Sequence, residues 1–173
     1  MADSGITKKA LASSLKACMA EKPFHKISIN DICVRCSMNR KSFYYHFRDK
    51  YDLLHWLFDN EYASLETLPK ADAFSALLQY LAKNRSFYRK AFEIEGQNSL
   101  EEHFRSMLYG ALSESLRSAN HTECSAFHLD FLTDGCLCAI KRWLFSSHPV
   151  SPDELEALLR QSLDIIGMED RQP

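Results

Sequence analysis

The stretch Ser28–Lys50, with the sequence SINDICVRCSMNRKSFYYHFRDK, decides the fold of this chain. Ser28 is a good helix N-cap residue, and Asp31 stands three positions later, where its carboxylate can accept the cap's own backbone amide. Asn39 and Asp49 give the same type of signal for two further helices. The stretch therefore predicts a helix that ends near residue 35, a tight turn, a helix of about two turns, and the start of a third helix.

The short middle helix would present polar and aromatic side chains to solvent. Its first turn and the residues after it supply Asn39, Arg40, Lys41, Ser42, Tyr44, Tyr45 and His46. Side-chain donors and free backbone amides at the start of a helix can contact base edges and phosphates, and Lys50 lies where a helix dipole also favours an anion. These residues indicate a helix-turn-helix that binds DNA. A solvated basic face on a small helical domain is the alternative.

Charge is distributed unevenly along the chain. Residues 1–50 contain 10 lysines and arginines against 4 aspartates and glutamates, whereas residues 51–173 contain 11 against 19. The formal charge of −2 for the whole chain therefore combines a basic head of +6 with an acidic body of −8. A basic head suits DNA, because phosphate contacts supply the sequence-independent part of DNA affinity, and an acidic body would be repelled by the duplex.

The segment Thr7–Leu54 resembles the DNA-binding domain of TetR-family transcriptional regulators. The matching positions are Ser28, Ile32, Phe43, Tyr44, Tyr45, His46, Phe47, Lys50, Leu53 and Leu54. The chain departs from the family's pattern at the turn, where Ser37 replaces a glycine, and at Pro23, which replaces the glycine before Phe24. The resemblance implies an all-α fold of about nine helices, with an N-terminal helix-turn-helix domain and a C-terminal helical domain for dimerisation and effector binding.

The same resemblance implies roles for individual residues. Those aligned with phosphate-contacting positions of the family are Ser28, Tyr44, His46 and Lys50. Those aligned with positions that face the major groove are Asn39, Arg40, Lys41, Ser42 and Tyr45, although Lys41 could as easily reach a phosphate. Arg40 is the strongest candidate for reading guanine, because its planar guanidinium can bond O6 and N7 of the base together. The expected partners are double-stranded DNA and a second copy of the chain, which together imply a palindromic site.

Helical periodicity continues through the rest of the chain, and no strand-period run of useful length competes with it. The predicted helices begin near Thr7 and near Asn98, and cover residues 49–68, 71–83, 84–92, 122–147 and 151–166. The clearest start is the run Ser151-Pro152-Asp153-Glu154, which places a cap, a proline and a glutamate in the preferred order. Because Pro69 interrupts the pattern, the sequence predicts a DNA-binding domain over residues 1–68 and a dimerisation and regulatory domain over residues 69–173.

The role of the C-terminal domain follows from the resemblance. TetR-like proteins pair through their last two helices, where the apolar candidates are Phe127, Phe131, Ile140, Leu155, Leu159 and Leu163. The family's body helices usually enclose an effector pocket, for which the aromatic-rich candidates are Tyr80, Phe87, Tyr88, Phe92, Phe104, Met107 and Trp143. Aromatic residues at helical spacing can also be plain core. A narrower resemblance, over residues 84–104 and 134–159, is to regulators of dihydroxyacetone kinase operons. It implies control by a small-molecule effector or a partner protein, and activation as readily as repression.

Other classes of function have little support in the sequence. The chain has no G-x-S-x-G motif, no phosphate-binding glycine loop and only five glycines, so we do not expect an enzyme. Cys33 and Cys36 lack a second pair at zinc-finger spacing, and His121, Cys124 and His128 share a helix face without a visible carboxylate. We therefore expect no metal or other cofactor. A helical adaptor, or a small-molecule-binding protein with no DNA role, is the alternative to a regulator.

The sequence gives no sign of a membrane or secreted protein. No apolar run reaches the roughly 18 residues that a spanning helix needs. The first residues, MADSGITKK, lack the apolar core of a signal peptide. We expect a cytoplasmic protein.

Overall fold

The computed structural model describes residues 2–63, 70–96, 98–118 and 125–168. These residues form nine α-helices and a short 3₁₀ turn without any strand, so the all-α prediction is confirmed. The elements are α1 (Ala2–Glu21), the 3₁₀ turn (Phe24–Lys26), α2 (Ile29–Arg35), α3 (Arg40–His46), α4 (Lys50–Ala63), α5 (Lys70–Lys83), α6 (Arg85–Phe92), α7 (Leu100–Ser118), α8 (Ala126–Phe145) and α9 (Pro152–Met168). Over these ranges no helix is both long and apolar enough to cross a membrane.

The chain divides into two compact units. The first contains Met1–Thr67 and Ser86–Glu101, and the second contains Leu68–Arg85 and Glu102–Pro173. Nearly all of α6 therefore belongs with α1–α4, whereas the sequence predicts a single boundary after residue 68. The difference arises because α6 packs on the helices of the N-terminal region.

Two long side chains hold α6 in the first unit. The Tyr88 hydroxyl, which is fully buried, donates a hydrogen bond of 2.8 Å to Glu61 Oε2 on α4. Lys90 Nζ donates to the carbonyl oxygens of Met19 and Ala20 at 2.8 and 3.0 Å. These carbonyls lie in the last turn of α1, where the helix itself offers no donor. The partners are far apart in sequence, so helical periodicity does not predict them.

The core of the first unit forms where α1 packs against α2, α3 and α4. The apolar stripe of α1 is buried, as its spacing predicts, and consists of Leu11, Leu15, Cys18 and Met19. Three predicted caps are also formed. Asp49 Oδ1 accepts the Asp52 amide at 2.8 Å at the start of α4. The Ser28 hydroxyl accepts the Asp31 amide while the Asp31 carboxylate accepts the Ser28 amide, and Asn39 Oδ1 accepts the Ser42 amide at 2.8 Å. α2 and α3 therefore begin where the sequence predicts.

The turn between α2 and α3 closes on a residue in the left-handed region. Ser37 has a φ of 55°. Its amide donates to Val34 O at 3.1 Å, and the amide of Met38 donates to Cys33 O at 2.9 Å. These two bonds form a Schellman motif, in which the left-handed residue is usually glycine. The chain thus keeps the turn of a helix-turn-helix with a serine at the position of the family's glycine.

The second unit contains α5, α8, α9 and most of α7, and α9 packs on both α5 and α8. Trp143 Nε1 donates to Val150 O at 2.8 Å, which closes the connection between α8 and α9. Arg105 of α7 bonds to Asp130 and Asp134 of α8 at 2.7 and 2.5 Å. The last two helices are therefore fixed within this unit by hydrogen bonds as well as by apolar packing.

Some predicted helix ends differ from the observed ones. α1 begins at Ala2 rather than near Thr7, and α7 begins at Leu100 rather than after Asn98. α8 begins after Ser125, whose hydroxyl accepts a backbone amide of the first turn. Several polar residues near each start could serve as caps, and packing decides which of them does. The predicted start of α8 at residue 122 and the predicted end of α4 at residue 68 lie outside the described residues.

Candidate nucleic-acid interface

α3 has a buried aromatic side and an exposed polar side. Phe43 and Phe47 are buried, with ring centroids 5.9 Å apart, and they anchor the helix in the first unit. On the other side, Tyr45 is 83% exposed, Tyr44 is 50% exposed and Lys41 is exposed. The packed side fixes the backbone from which the outer side chains project, which is what a base-reading helix requires.

Arg40 is held beside Tyr44 in the first turn of α3. Its Nη2 donates to the Tyr44 hydroxyl at 3.2 Å, and its guanidinium carbon lies 5.8 Å from the centre of the tyrosine ring. A guanidinium carries five N–H donors and this hydrogen bond uses one, so Arg40 keeps donors for the edge of a base. The contact with Tyr44 restrains the arginine side chain, and a restrained side chain loses less entropy when it binds a partner.

The other predicted contact residues lie at helix starts or beside the exposed tyrosines. Ser42 Oγ donates to Asn39 Oδ1 at 3.2 Å, so both side chains take part in the cap of α3. Ser28 takes part in the cap of α2. His46 is half-buried, with its ring centroid 4.9 Å from that of Tyr45 in an edge-to-face arrangement. Contacts from these residues to DNA stay predictions.

Both ends of α2 form salt bridges with residues at or directly after the C-terminal end of α1, which are Glu21 and Lys22. Lys22 Nζ lies 2.8 Å from Asp31 Oδ2 in the first turn of α2. In its last turn, Arg35 Nη2 donates to both carboxylate oxygens of Glu21, at 2.5 and 2.6 Å. The bond from Lys22, together with those from Ser28, holds the pKa of Asp31 well below its usual range. These opposite charges fix the position of α2 on α1.

Lys50 does not have the free ammonium that a phosphate contact needs. Its Nζ donates to Phe24 O at 2.8 Å, to His25 O at 3.4 Å and to Ile27 O at 2.9 Å. An ammonium has three N–H donors, so these bonds can occupy all of them. The Phe24 ring centre lies 4.6 Å from Nζ, and burial lowers the pKa of Lys50. In this structure Lys50, which was predicted to contact a DNA phosphate, therefore binds carbonyl oxygens of the protein's own backbone.

Two exposed cations near helix starts are absent from the predicted set. Lys26 closes the 3₁₀ turn just before the Ser28 cap. Arg48 precedes α4, and its side chain is 89% exposed, with a long contact of 3.5 Å to Asp52. Their closeness to helix N-termini, where anions bind, was the signal in the sequence that could have identified them.

The thiols and histidines considered for metal binding show ordinary packing. Cys33 is buried, which raises the pKa of its thiol, and Cys36 Sγ donates to a main-chain carbonyl of α2 at 3.3 Å. His128 Nδ1 bonds to its helix cap at 2.9 Å, whereas His121 and Cys124 lie outside the described residues. Among the side chains that the structure describes, no three potential metal ligands come together.

The residues predicted for an effector pocket are distributed over both units. Those in the first unit are Phe87, Tyr88 and Phe92. Those in the second unit are Tyr80, Phe104, Met107 and Trp143. Tyr88, Phe92, Phe104 and Trp143 are buried, so much of the set contributes to the cores. An effector pocket built from these residues stays a prediction.

A cleft of about 550 Å³ opens in the first unit beside the 3₁₀ turn. Its charged lining residues are Glu21, Lys22, Lys90, Glu93 and Glu95. Phe24, Tyr51 and Ile94 supply apolar surface between them. Small-molecule sites are mostly apolar with a few polar groups, so this lining is unusually charged for an effector pocket. None of the predicted effector residues lines the cleft.

The residues predicted for a dimer interface separate into two groups. The chain's own core contains Ile140, Leu155 and Leu159, and Leu163 is half-buried. Phe127 and Phe131 are 73% and 60% exposed and lie one turn apart on α8. Leu158 of α9 is exposed as well. The exposed residues are the ones free to contact a second chain.

Known families match both parts of the chain. The family described as bacterial regulatory proteins, tetR family, matches residues 13–57, and the family described as transcriptional regulator C-terminal region matches residues 71–164. A curated relative is the HTH-type dhaKLM operon transcriptional activator DhaS of Lactococcus lactis subsp. lactis (strain IL1403). It is 35% identical over 101 residues, which cover 55% of this chain and 54% of that protein. The match therefore spans about half the length of the relative.

Solved structures confirm the fold. The dihydroxyacetone kinase operon activator DhaS matches with a TM-score of 0.64 and 24% identity, over 95% of this chain and 96% of its own. A TetR transcriptional regulator from Streptococcus agalactiae 2603V matches with a TM-score of 0.71 and 20% identity, over 91% of this chain and 93% of its own. Both matching families are described as regulators rather than enzymes, as the sequence predicts. With both its DNA-binding and its C-terminal regions matched, the chain belongs to the TetR family of transcriptional regulators.

Proposed function

We propose that this regulator reads a palindromic DNA operator as a homodimer, and that a small-molecule effector or a partner protein controls its affinity for DNA. The observation that carries the proposal is the anchoring of α3: Phe43 within the helix and Phe47 at its C-cap are buried, while Arg40, Lys41 and Tyr45 remain exposed. A helix of this kind fits the major groove, where each base pair presents its own pattern of donors and acceptors. Because reading DNA requires access to the chromosome, we propose that the protein acts in the cytoplasm.

The exposed cations divide between two tasks. Arg40 is the base reader, because Tyr44 restrains its planar fork at the start of α3. Lys26, Lys41 and Arg48 are exposed and can contact phosphates, which position the protein but carry no sequence information. With several phosphate contacts in each half-site, the affinity should fall steeply as salt concentration rises.

The apolar surface of α8 and α9 supports the homodimer. Phe127, Phe131 and Leu158 are exposed in one chain, and burying an apolar side chain of this size contributes about 1.5–3 kcal/mol. Gly135 lies one turn after Phe131 and is exposed, and apart from its own helix no atom lies within 4 Å of the Cβ that a larger residue would add. A helix of a second chain can approach closely there. The resulting two-fold symmetry implies a palindromic operator.

Control of DNA affinity requires a ligand or partner that binds the DNA-competent and DNA-incompetent states with different affinities. Tyr80, Phe104, Met107 and Trp143 of the second unit are the candidates for an effector site that lies within one unit. The likeness to DhaS, which is named as an operon transcriptional activator, supports activation as the direction of regulation.

Selection from a random duplex pool tests the DNA-reading role. The purified protein should enrich an inverted repeat, and the double variant Arg40→Ala/Tyr44→Ala should not. Enrichment of the same repeat by both proteins would refute the assignment of α3 as the reader. If wild-type protein enriches nothing even at low salt, the chain is either an adaptor or a reader that needs its effector or partner before it binds DNA.

Sedimentation equilibrium tests the interface. Phe131→Glu should produce monomers at concentrations at which the wild-type chain is a dimer. Ile6→Glu is the matched control, because it adds the same charge to an exposed apolar residue of α1. A Phe131→Glu variant that remains dimeric would place the interface elsewhere.

A further inference from the structure

The ammonium of Lys50 joins the start of α4 to the 3₁₀ turn that precedes α2. We propose that Lys50 is a positioning residue for DNA reading, which fixes the direction of α2 and hence the placement of α3, and that exposed Lys26 and Arg48 make the phosphate contacts near these helix starts. The proposal rests on the DNA-reading function proposed above. It assigns Lys50 a role different from the phosphate contact that the family resemblance implies.

The peptide unit between Ile27 and Ser28 leads directly into α2, and both of its polar groups are bonded. Ile27 O accepts from Lys50 Nζ at 2.9 Å, and the Ser28 amide donates to Asp31 Oδ2 at 2.7 Å. A peptide unit is planar, so it cannot rotate without breaking at least one of these bonds. Lys50 and Asp31 therefore set the direction in which the chain starts α2.

Ring packing supports the same connection. Phe24, the first residue of the 3₁₀ turn, and Ile27, the residue directly after the turn, are buried. Tyr51, the residue after Lys50, packs edge to face on Phe24 with ring centroids 5.0 Å apart, and Lys50 Nζ lies 4.6 Å from the same ring. The first two residues of α4 thus hold the turn by hydrogen bonds, by a cation–π contact and by an aromatic pair. Because α2 contacts α3, a displaced turn would displace the reader helix.

Moving the Lys50 ammonium to a phosphate would break its hydrogen bonds to backbone carbonyls, whereas Lys26 and Arg48 can bind a phosphate without such a loss. A phosphate that recruited the Lys50 ammonium would take donors away from the carbonyl oxygens of Phe24, His25 and Ile27, and partly buried carbonyls that lose a partner destabilise the fold. Lys26 is exposed, and the guanidinium of Arg48 has only a long, exposed contact to Asp52. These two cations can bind phosphate without breaking a comparable network.

Two substitutions at Lys50 separate positioning from phosphate contact. Lys50→Met keeps most of the stem and removes the charge. Lys50→Arg keeps the charge, but a planar guanidinium cannot direct its donors at three carbonyls as an ammonium does. Both variants should bind the selected operator about tenfold more weakly, as expected for a lost hydrogen bond to a charged group. The salt dependence should not change in either variant, while Lys26→Met should lower the slope of log K against log salt by about 0.9 per subunit.

Lys83→Met serves as a control, because Lys83 is an exposed lysine of α5 and should leave the affinity and the slope unchanged. All measurements are made at a temperature at which circular dichroism shows each variant fully folded. The positioning role is overturned if Lys50→Met lowers the salt slope by about 0.9 per subunit and Lys50→Arg binds like wild type.

A second measurement needs no DNA. The Ile27 amide donates to Phe24 O at 3.0 Å inside the turn that Lys50 holds, so its hydrogen exchange should accelerate in Lys50→Met and stay unchanged in Lys26→Met. Unchanged exchange in Lys50→Met overturns the proposal. If the wild-type protein selects no operator, the DNA-reading function lacks support, and the exchange rates still decide whether Lys50 positions the turn.

Discussion

Replacing Ser37 with glycine should stabilise the first unit. The left-handed φ of 55° costs a residue with a side chain about 1–2 kcal/mol, which glycine does not incur. Glycine in turn loses about 0.5–1 kcal/mol more chain entropy on folding than alanine does. Ser37 is exposed, so its hydroxyl leaves no buried group without a partner. The net effect of Ser37→Gly is therefore an increase of about 0–1.5 kcal/mol in the free energy of unfolding, with a midpoint of about 0.75 kcal/mol.

Urea unfolding followed by tryptophan fluorescence measures this change. Trp56 reports on the helix-turn-helix, because its ring centroid lies 5.8 Å from that of Phe47 at the end of α3. Ser13→Gly is the matched control. Ser13 is exposed inside α1, where glycine should lower the free energy of unfolding by roughly 0.5–1 kcal/mol. If both substitutions destabilise the protein equally, the argument from left-handed strain at Ser37 is wrong.

Three further predictions concern base reading, association and acid stability. Arg40→Ala should relax the preference at one base step of each half-site, at a cost of about 1–3 kcal/mol, whereas uniform weakening on all duplexes would show that Arg40 contacts phosphate. Gly135→Ala should favour the isolated α8 helix by up to about 1 kcal/mol yet weaken association in sedimentation, and a tighter dimer would contradict close helix approach there. The folded state lowers the pKa of Asp31, so the stability that its carboxylate contributes is present above the unfolded pKa of about 4 and is lost as pH falls below it. Asp31→Asn should flatten the acid side of the stability curve in urea titrations, and an unchanged curve would count against the pairing of Lys22 with Asp31.

Helix starts in the DNA-reading region were predictable because each depends on residues within one turn. The hydroxyl of Ser28 and the carboxamide of Asn39 each accept an amide three positions later, and Ser151 does the same for α9. The family resemblance placed the turn at Ser37, where the family has a glycine, and the left-handed φ of this serine is a finding of the structure. Local chemistry therefore defines α2, α3 and α9 from the sequence alone.

Partners at long range could not be predicted in this way. Lys50 bonds to residues 23 to 26 positions away, and a lysine at a helix start looks like an anion ligand until the tertiary structure shows that its donors are used. Helical spacing shows which residues of a helix are apolar, but it does not show which of them pack inside the same chain and which stay exposed for a second chain. Phe131 and Ile140 both fit an interface on α8, yet Phe131 is exposed and Ile140 is completely buried.

The hydrogen bonds that hold α6 in the first unit limit where this chain can be joined to the body of another regulator. A hybrid that joined residues 1–68 of this chain to the body of another regulator would separate Glu61 from Tyr88 and the end of α1 from Lys90. Recombination at that point would cut through a packed structure, whether in evolution or in the laboratory. The unit that contains the DNA-binding helices is therefore built from two separate stretches of the chain. A functional hybrid should include residues 86–101 together with residues 1–68.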